Sequence, residues 1–475
     1  MRRKYGITQP WIASETAIHS ANGNEVSQAE TLFKKLLFSW SRGAVGYTWY
    51  NLINSGENPG YGEHNFGMLT RRLEPKFVYG VYNMITGTYR EAAYLRQFDS
   101  EEPYQFLFRT PQELLLAGWN RTGEEGSSLF FLESDASGAE RIDLLGNRTP
   151  AAHSGGGTVY EIGRFGATLA LKGATKTGSP RLIAELLLPP NRIPGRPAPA
   201  SLRLTNPWRG ARHFRLLPES AVRRLPAEVT LKDGETRELP LALADSPAAE
   251  QVAAVKIAGD GWPEPLRVSG VIRQARLIPA GEIDGNREPD FRLERYSDLV
   301  TPWENDPATA HLIWRDARDL SAQIRFGSDG TDFLLRVDVE DDLHAPTRTP
   351  ERLWNGDSVQ FALAFSGQSG YFELGAAENG DNPHAGVWQV PAGFSTAAVR
   401  RAMRTEVRRS GTRTIYQFRI PWQAFGADAK LREPGVRFNL IVNDNDGDRR
   451  KGWLQIAPGL GTNQTMAHSP VLIFQ

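Results

Sequence analysis

Pro10-Trp11-Ile12-Ala13-Ser14-Glu15-Thr16 decides how the front of this chain is read. A short apolar run ends in a carboxylate. The stretch Glu25–Ser41 comes next, with Leu32, Phe33, Leu36, Leu37 and Trp40 at helical spacing. A second apolar run, Val45-Gly46-Tyr47-Thr48-Trp49-Tyr50, leads to a second helical stretch at Pro75–Thr86, which carries Phe77, Val78, Val81, Tyr82 and Ile85. Pro75 suits a first helical position, where its missing N–H costs nothing. Strand, helix, strand, helix, with Glu15 at the tip of the first strand, is the pattern of the last two units of a (β/α)8 barrel. Such barrels carry their chemistry at the C-terminal tips of the strands. Nothing ahead of Met1 supplies the other six strands, so the chain is expected to hold one half of a catalytic pair. Two parallel strands alone have open edges and need cover on both faces. The segment is therefore expected to dock on the adjoining β block, to pair with another chain, or to be poorly ordered. It is also expected to be the least stable part, with few partners for the helix faces around Leu36 and Tyr82.

The composition narrows the classes. The chain has 475 residues, with 55 Lys plus Arg against 55 Asp plus Glu. A net charge of zero argues against nucleic acid or a membrane surface as a partner held by bulk charge. No apolar run is long enough to span a bilayer. Met1-Arg2-Arg3-Lys4-Tyr5-Gly6 is basic but lacks the apolar stretch of a secretory signal. Cysteine is absent, which removes disulfides, thiolate catalysis and Cys-ligated zinc. His19 and His64 have no partner at metal-binding spacing and read as loop residues.

Composition divides the chain into four blocks: about 1–95, 96–178, 179–275 and 276–475. After the first block, short apolar stretches alternate with Gly, Pro, Asn and Asp, as in antiparallel β domains. The second block is predicted to have strands at Tyr104–Arg109, Glu113–Trp119, Leu129–Glu133, Arg141–Leu145, Thr158–Ile162 and Ala167–Leu171. The third comes after a Pro-rich stretch and, with strands such as Ser201–Thr205 and Arg212–Leu217, suggests an immunoglobulin-like spacer. In the fourth, Phe333–Val339 and Val359–Leu363 alternate as half-buried strands do.

The first block resembles the end of the barrel in clan A glycoside hydrolases. Trp11-Ile12-Ala13-Ser14-Glu15-Thr16 is similar to their seventh strand, and Gly46-Tyr47-Thr48-Trp49-Tyr50 to the eighth. Glu63-His64-Asn65-Phe66-Gly67-Met68-Leu69 with Glu74-Pro75-Lys76-Phe77-Val78-Tyr79 is similar to the returning loop and last helix. The resemblance implies a retaining double displacement by two carboxylates roughly 5–5.5 Å apart. Glu15 would be the nucleophile and Trp49 a wall of the sugar site. The acid/base glutamate belongs on the fourth strand, which this chain lacks. General acid catalysis is worth about 10²–10⁴-fold, so the chain alone is expected to be inactive. The second block resembles the small β domain found after such barrels.

The fourth block resembles family 9 carbohydrate-binding modules. The match runs through Gly281-Glu282-Ile283-Asp284-Gly285-Asn286, Ser328–Asp342, Leu353-Trp354-Asn355-Gly356-Asp357-Ser358-Val359-Gln360-Phe361, Tyr416–Trp422 and Phe438–Asp444. It implies a two-sheet β-sandwich that clamps a sugar between Trp faces while polar side chains read the hydroxyls. Trp354 matches the first clamp residue, with Asp357 and Gln360 after it at spacings that orient or read hydroxyls. Glu373 falls where a basic residue would serve. The second clamp Trp has no match near Gly459–Thr465, and Trp388 is the substitute from another loop. The family carries structural calcium, so a calcium site in the module is an expectation; no cofactor is expected for catalysis. Asn443-Asp444-Asn445-Asp446-Gly447-Asp448 fails the EF-hand pattern at Val442 and Trp453 and reads as a polar turn.

The fold expected is thus multidomain and mainly β: a partial (β/α)8 barrel, then β-sandwich domains ending in a family 9-like module. The function expected is the C-terminal part of a secreted, polysaccharide-degrading glycoside hydrolase, extracellular or periplasmic in its full-length form. Two other classes stay open: a carbohydrate-binding protein without catalysis, and a structural or interaction protein of packed β modules.

Overall fold

Trp11–Thr16 (β1) and Ala44–Trp49 (β2) pair in parallel, with Trp11 opposite Ala44 and Ala13 opposite Tyr47. Glu25–Ser41 (α1) makes the crossover, and Phe77–Thr88 (α2) comes after β2. In the computed structural model the described residues are 9–59, 62–98, 103–120, 126–154, 156–189, 191–193, 199–244, 250–295, 298–300, 314–346, 349–378, 383–427, 432, 435–447, 450–461, 464–466 and 468–475. The fold is mainly β with several sheets. The chain forms two compact units. The first comprises Met1–Pro189, Ala198–Ser246 and Glu250–Ile272; the second comprises Pro190–Pro197, Pro247–Ala249 and Arg273–Gln475.

In the first unit, α1 buries Leu32, Phe33 and Leu37, and α2 buries Val78, Val81, Met84 and Ile85. Both helices pack on a six-stranded antiparallel sheet in the order Ala93–Gln97, Tyr104–Arg109, Glu113–Trp119, Ala167–Lys172, Gly138–Ile142, Arg148–Pro150. Phe106, Phe108, Leu115, Ala117 and Trp119 of that sheet complete the helices' core. Docking on the adjoining β block is thus the arrangement found. The buried Tyr89 hydroxyl, just past α2, lies 2.6 Å from Thr168 Oγ1 on the sheet. Leu36 packs at the rim of this core. Tyr82 stays exposed beside an open groove of about 480 Å³. In the β1–β2 pair Ile12 is 58 % and Val45 70 % exposed.

The other face of the six-stranded sheet, through Leu107, Leu114, Leu116, Leu169 and Leu171, meets Phe130, Leu132, Tyr160 and Ile162. These belong to the antiparallel strands Ser127–Glu133 and Gly157–Gly163. Leu129, Phe131 and Val159 point the opposite way, into a third layer of core with Ile183, Leu202, Leu204, Phe214, Leu216, Val255 and Ile257. Ser127–Glu133 is therefore apolar on both faces, which is why Leu129 to Leu132 run without alternation. It also pairs with Arg181–Leu187, so the hydrogen-bonded sheet continues from the second sequence block into the third. The strand expected at Arg141–Leu145 instead spans Gly138–Ile142. Asp143 ends it: Oδ1 accepts from the amides of Leu145 and Asn147, and Gly146 takes a positive φ.

The second unit is a two-sheet sandwich. One sheet runs Phe291–Leu293, Leu320–Ser328, Asp332–Asp341, Arg413–Pro421, Arg404–Ser410. The other runs His384–Gln389, Phe372–Ala377, Ser358–Phe365, Val436–Asn445, Arg450–Gln455. Between them lie Phe326, Phe333, Phe361, Phe372, Phe418, Trp422, Phe425 and Phe438. Many of these rings meet edge to face, as in Phe326–Phe438 at 4.6 Å.

Candidate functional site

Alternation along Ser358–Phe365 sends Val359, Phe361, Leu363 and Phe365 into the core and leaves Ser358, Gln360, Ala362 and Ala364 on the outer face. On Phe372–Ala377 the outer set is Glu373, Gly375 and Ala377. Gln360 sits opposite Gly375 on one side and Ile441 on the other; Glu373 sits opposite Ala362. The next strand shifts register at Glu373 and carries Trp388. The Trp388 indole packs against two glycines: a Cβ at Gly375 would come within 3.0 Å of the ring, and one at Gly386 within 2.9 Å. A larger residue at Gly386 would displace the indole, and one at Gly375 would first meet the Val359 carbonyl.

Polar groups cluster beside this ring. Asn443 Nδ2 donates to Gln360 Oε1 at 2.9 Å and to Ser358 Oγ at 2.9 Å. Gln360 Nε2 donates to Glu373 Oε1 at 3.4 Å. Asn443 Oδ1 and the Tyr371 hydroxyl are buried without hydrogen-bond partners. Glu373 is 9 % exposed. Burial pushes its carboxyl up to about 7. Burial, then the nearby Glu373 charge, pushes the Tyr371 hydroxyl up to about 12. Among the described residues no cation pairs with Glu373. Buried polar atoms left without partners carry a free-energy cost that a hydroxyl-bearing ligand can relieve.

Trp354 is 43 % exposed, near the end of a helical turn at Pro350–Asn355 that packs against His384–Gln389, the strand of Trp388. Ser358 Oγ fixes that turn by donating to the Leu353 carbonyl at 2.7 Å. The two tryptophans and Gln360 are therefore on adjoining elements. Asp357 is placed differently. It is buried, Oδ1 accepts from the Asn445 amide at 2.7 Å, and Oδ2 accepts from the Ala345 amide. It braces the loop ahead of the Trp354 turn and does not face outward.

The expected calcium has two acidic groups as candidate seats, Asp341–His344–Asp357 and Asp319–Asp342–Asp446. Each already contains cations of the chain. His344 Nδ1 lies 3.1 Å from Asp341 and 3.3 Å from Asp357. Lys451 Nζ lies 3.0 Å from Asp319 and 2.8 Å from Asp446, and Arg315 bridges Asp319 and Asp342. The second group does not suit a divalent metal, because the Lys451 ammonium and Arg315 guanidinium already neutralise its carboxylates; in the first, His344 supplies an imidazole nitrogen where calcium takes oxygen ligands. Asn443, Asp444 and Asn445 belong to the strand Val436–Asn445, so the polar turn begins only at Asp446; Asp448 lies outside the described residues.

In the first unit, Glu15 is exposed near the end of β1, next to the strand's final residue Thr16. Thr16 Oγ1 donates to the Thr48 carbonyl at 3.2 Å and ties the tips of β1 and β2. Among the described residues the Glu15 carboxylate has no ion-pair or hydrogen-bond partner. Trp49 belongs to the core, with Nε1 donating to the Phe66 carbonyl at 3.1 Å. Lys76, buried nearby, donates to the Gly67 carbonyl at 2.6 Å and the Asn65 carbonyl at 3.0 Å, and burial pulls it down to about 8.

Asn443 and Tyr371 were not among the residues singled out from the sequence as ligand contacts. The available signal was the period of two: counted outward from Gln360, the same parity marks Glu373 and Asn443 once the strand pairing is known.

No family model matches the chain, and no curated protein matches it. Among solved structures, it is similar to a family 39 glycoside hydrolase from the gut symbiont Bacteroides cellulosilyticus WH2, at 20 % identity and TM-score 0.30, over 34 % of this chain and 34 % of that one. It is similar to a family 9 carbohydrate-binding module from Caldicellulosiruptor kristjanssonii in complex with glucose, at 16 % identity and TM-score 0.27, over 42 % of this chain and 95 % of that one. A carbohydrate-binding protein from Bacteroides uniformis ATCC 8492 is similar at 14 % identity and TM-score 0.29, over 42 % and 99 %.

Proposed function

We propose that this chain is the C-terminal portion of a retaining glycoside hydrolase, and that its second unit is a carbohydrate-binding module. The observation that carries the binding half is the Trp388 indole, packed on Gly375 and Gly386, beside the buried Gln360, Glu373 and Asn443. An apolar sugar face stacks on an indole, and ring hydroxyls meet the side-chain amides and carboxylate. Trp354, on the adjoining turn, is the second aromatic contact. Asp357 acts through the loop it braces. Affinity is expected near millimolar, on the order of −4 kcal/mol.

The catalytic half rests on the parallel pairing of β1 with β2 and on Glu15 exposed near its C-terminal end. Glu15 is the nucleophile of the complete enzyme, and the general acid comes from strands outside this chain. The full-length enzyme works outside the cytoplasm on oligo- or polysaccharide. No helix among the described residues is long and apolar enough to cross a membrane.

Tryptophan fluorescence titration of the chain against mono- and oligosaccharides tests the binding half; silence toward every sugar overturns it. Aryl glycosides test the other half. No turnover is expected from the isolated chain, and steady turnover lost in Glu15→Gln would show that a complete site exists here.

A further inference from the structure

We infer that the outer face of the second unit's Phe372–Ala377 sheet selects sugars bearing a free amine, with Glu373 as the group that receives the ammonium. This rests on the carbohydrate-binding reading and narrows it. Glu373 points to the same face as Gln360, the Trp388 side of the sheet, and is nine-tenths buried. Its one hydrogen bond, from Gln360 Nε2, is long at 3.4 Å, and among the described residues it has no ion-pair partner. The neighbours on that face are neutral: Gln360, Asn443, Tyr371 and the Trp388 ring.

A carboxylate removed from water without a counter-charge is costly. Where a neutral hydroxyl binds, that cost is relieved only in part. A ligand ammonium supplies both the charge and a charge-assisted hydrogen bond. The burial that raises the Glu373 carboxyl is the same burial an ammonium would offset. The adjacent indole face adds a second attraction for a cationic ligand. An N-acetylated sugar has the same ring and presents no charge, and a uronic acid would place two carboxyls together.

The test is calorimetric titration of the whole chain at pH 7 with D-glucosamine, N-acetyl-D-glucosamine, D-glucose and D-glucuronate. The free amine is expected to bind about tenfold tighter than its acetylated form, and glucuronate weakest. Glu373→Gln is expected to bring the first two affinities within about twofold of each other. Glucose binding with no gain for glucosamine overturns the amine inference and leaves carbohydrate binding standing. A tenfold preference that persists in Glu373→Gln overturns the role of Glu373. No response to any of the four sugars overturns both readings.

Discussion

Lys451 holds its ammonium 3.4 Å from the carboxylate of Asp444, whose two oxygens accept no hydrogen bond. Asp319 and Asp446 complete the surroundings at 3.0 and 2.8 Å. Three acids share one cation. Burial pushes the Asp444 carboxyl up, and the Lys451 ammonium beside it pulls the other way. Burial also works to lower Lys451, but Asp444, Asp446 and Asp319 outweigh it and the amine stays charged.

Lys451→Met removes the cation and leaves the buried Asp319 without one of its counter-charges. A loss of about 3–5 kcal/mol is expected for the second unit in urea unfolding. Chelator is expected to leave the unfolding midpoint of the native chain unchanged, because Lys451 supplies the charge a metal would. A native midpoint that falls with chelator would show that a metal is bound after all.

His344 sets a pH dependence. Burial works to lower its imidazole, but hydrogen bonds with Asp341 and Asp357 outweigh this and raise it to about 9; Arg409 opposes them. Glu378 faces Nε2 at 3.7 Å. The folded value is raised, so this stabilisation is fully present below the unfolded value of 6.5 and is lost as pH rises through 9. Roughly 2 kcal/mol is at stake once solvent screening is allowed for. Stability measured from pH 6 to 10 should decline, and His344→Gln should flatten that decline. An unchanged slope in the variant would remove His344 as its source.

Trp388→Ala and Trp354→Ala should each weaken sugar binding about tenfold or more. Their effects on folding should differ. Trp354 is exposed and its loss should leave the midpoint nearly unmoved, whereas Trp388 covers Gly375 and Gly386 and its loss uncovers the sheet. Full sugar binding by both variants would place the site elsewhere.

Hydrogen exchange should divide the front of the chain. α1, packed through Leu32, Phe33 and Leu37, should exchange slowly, and β1 and β2, with Ile12 and Val45 bare, should exchange fast. Equal protection of α1 and β1 would mean that the pair has a covering partner in solution.

Local structure was legible where one face of an element meets water. The helix at Glu25–Ser41 and the strand at Arg212–Ser220, buried at Phe214 and Leu216 and exposed at Arg215 and Leu217, emerge from periodicity. The end of the strand at Ile142 did not, because Leu144 and Leu145 continue the apolar run while the Asp143 side chain turns the backbone. The site was half legible. Trp354, Gln360 and Trp388 stand out by residue type, but the bed of Gly375 and Gly386 depends on strand register. The cage around Lys451 joins Asp319 to Asp446, residues far apart in the chain with no spacing that links them. The docking of the front segment was similarly hidden, since Phe33 and Trp119 show their contact only in three dimensions.

Ser127–Glu133 serves two cores at once, Phe130 and Leu132 on one side, Leu129 and Phe131 on the other. A gene cut between residues 178 and 179 would strip this strand of Arg181–Leu187 and expose one apolar face on each product. The sequence on either side of residue 178 is therefore one folding unit, because neither part keeps its apolar faces covered without the other.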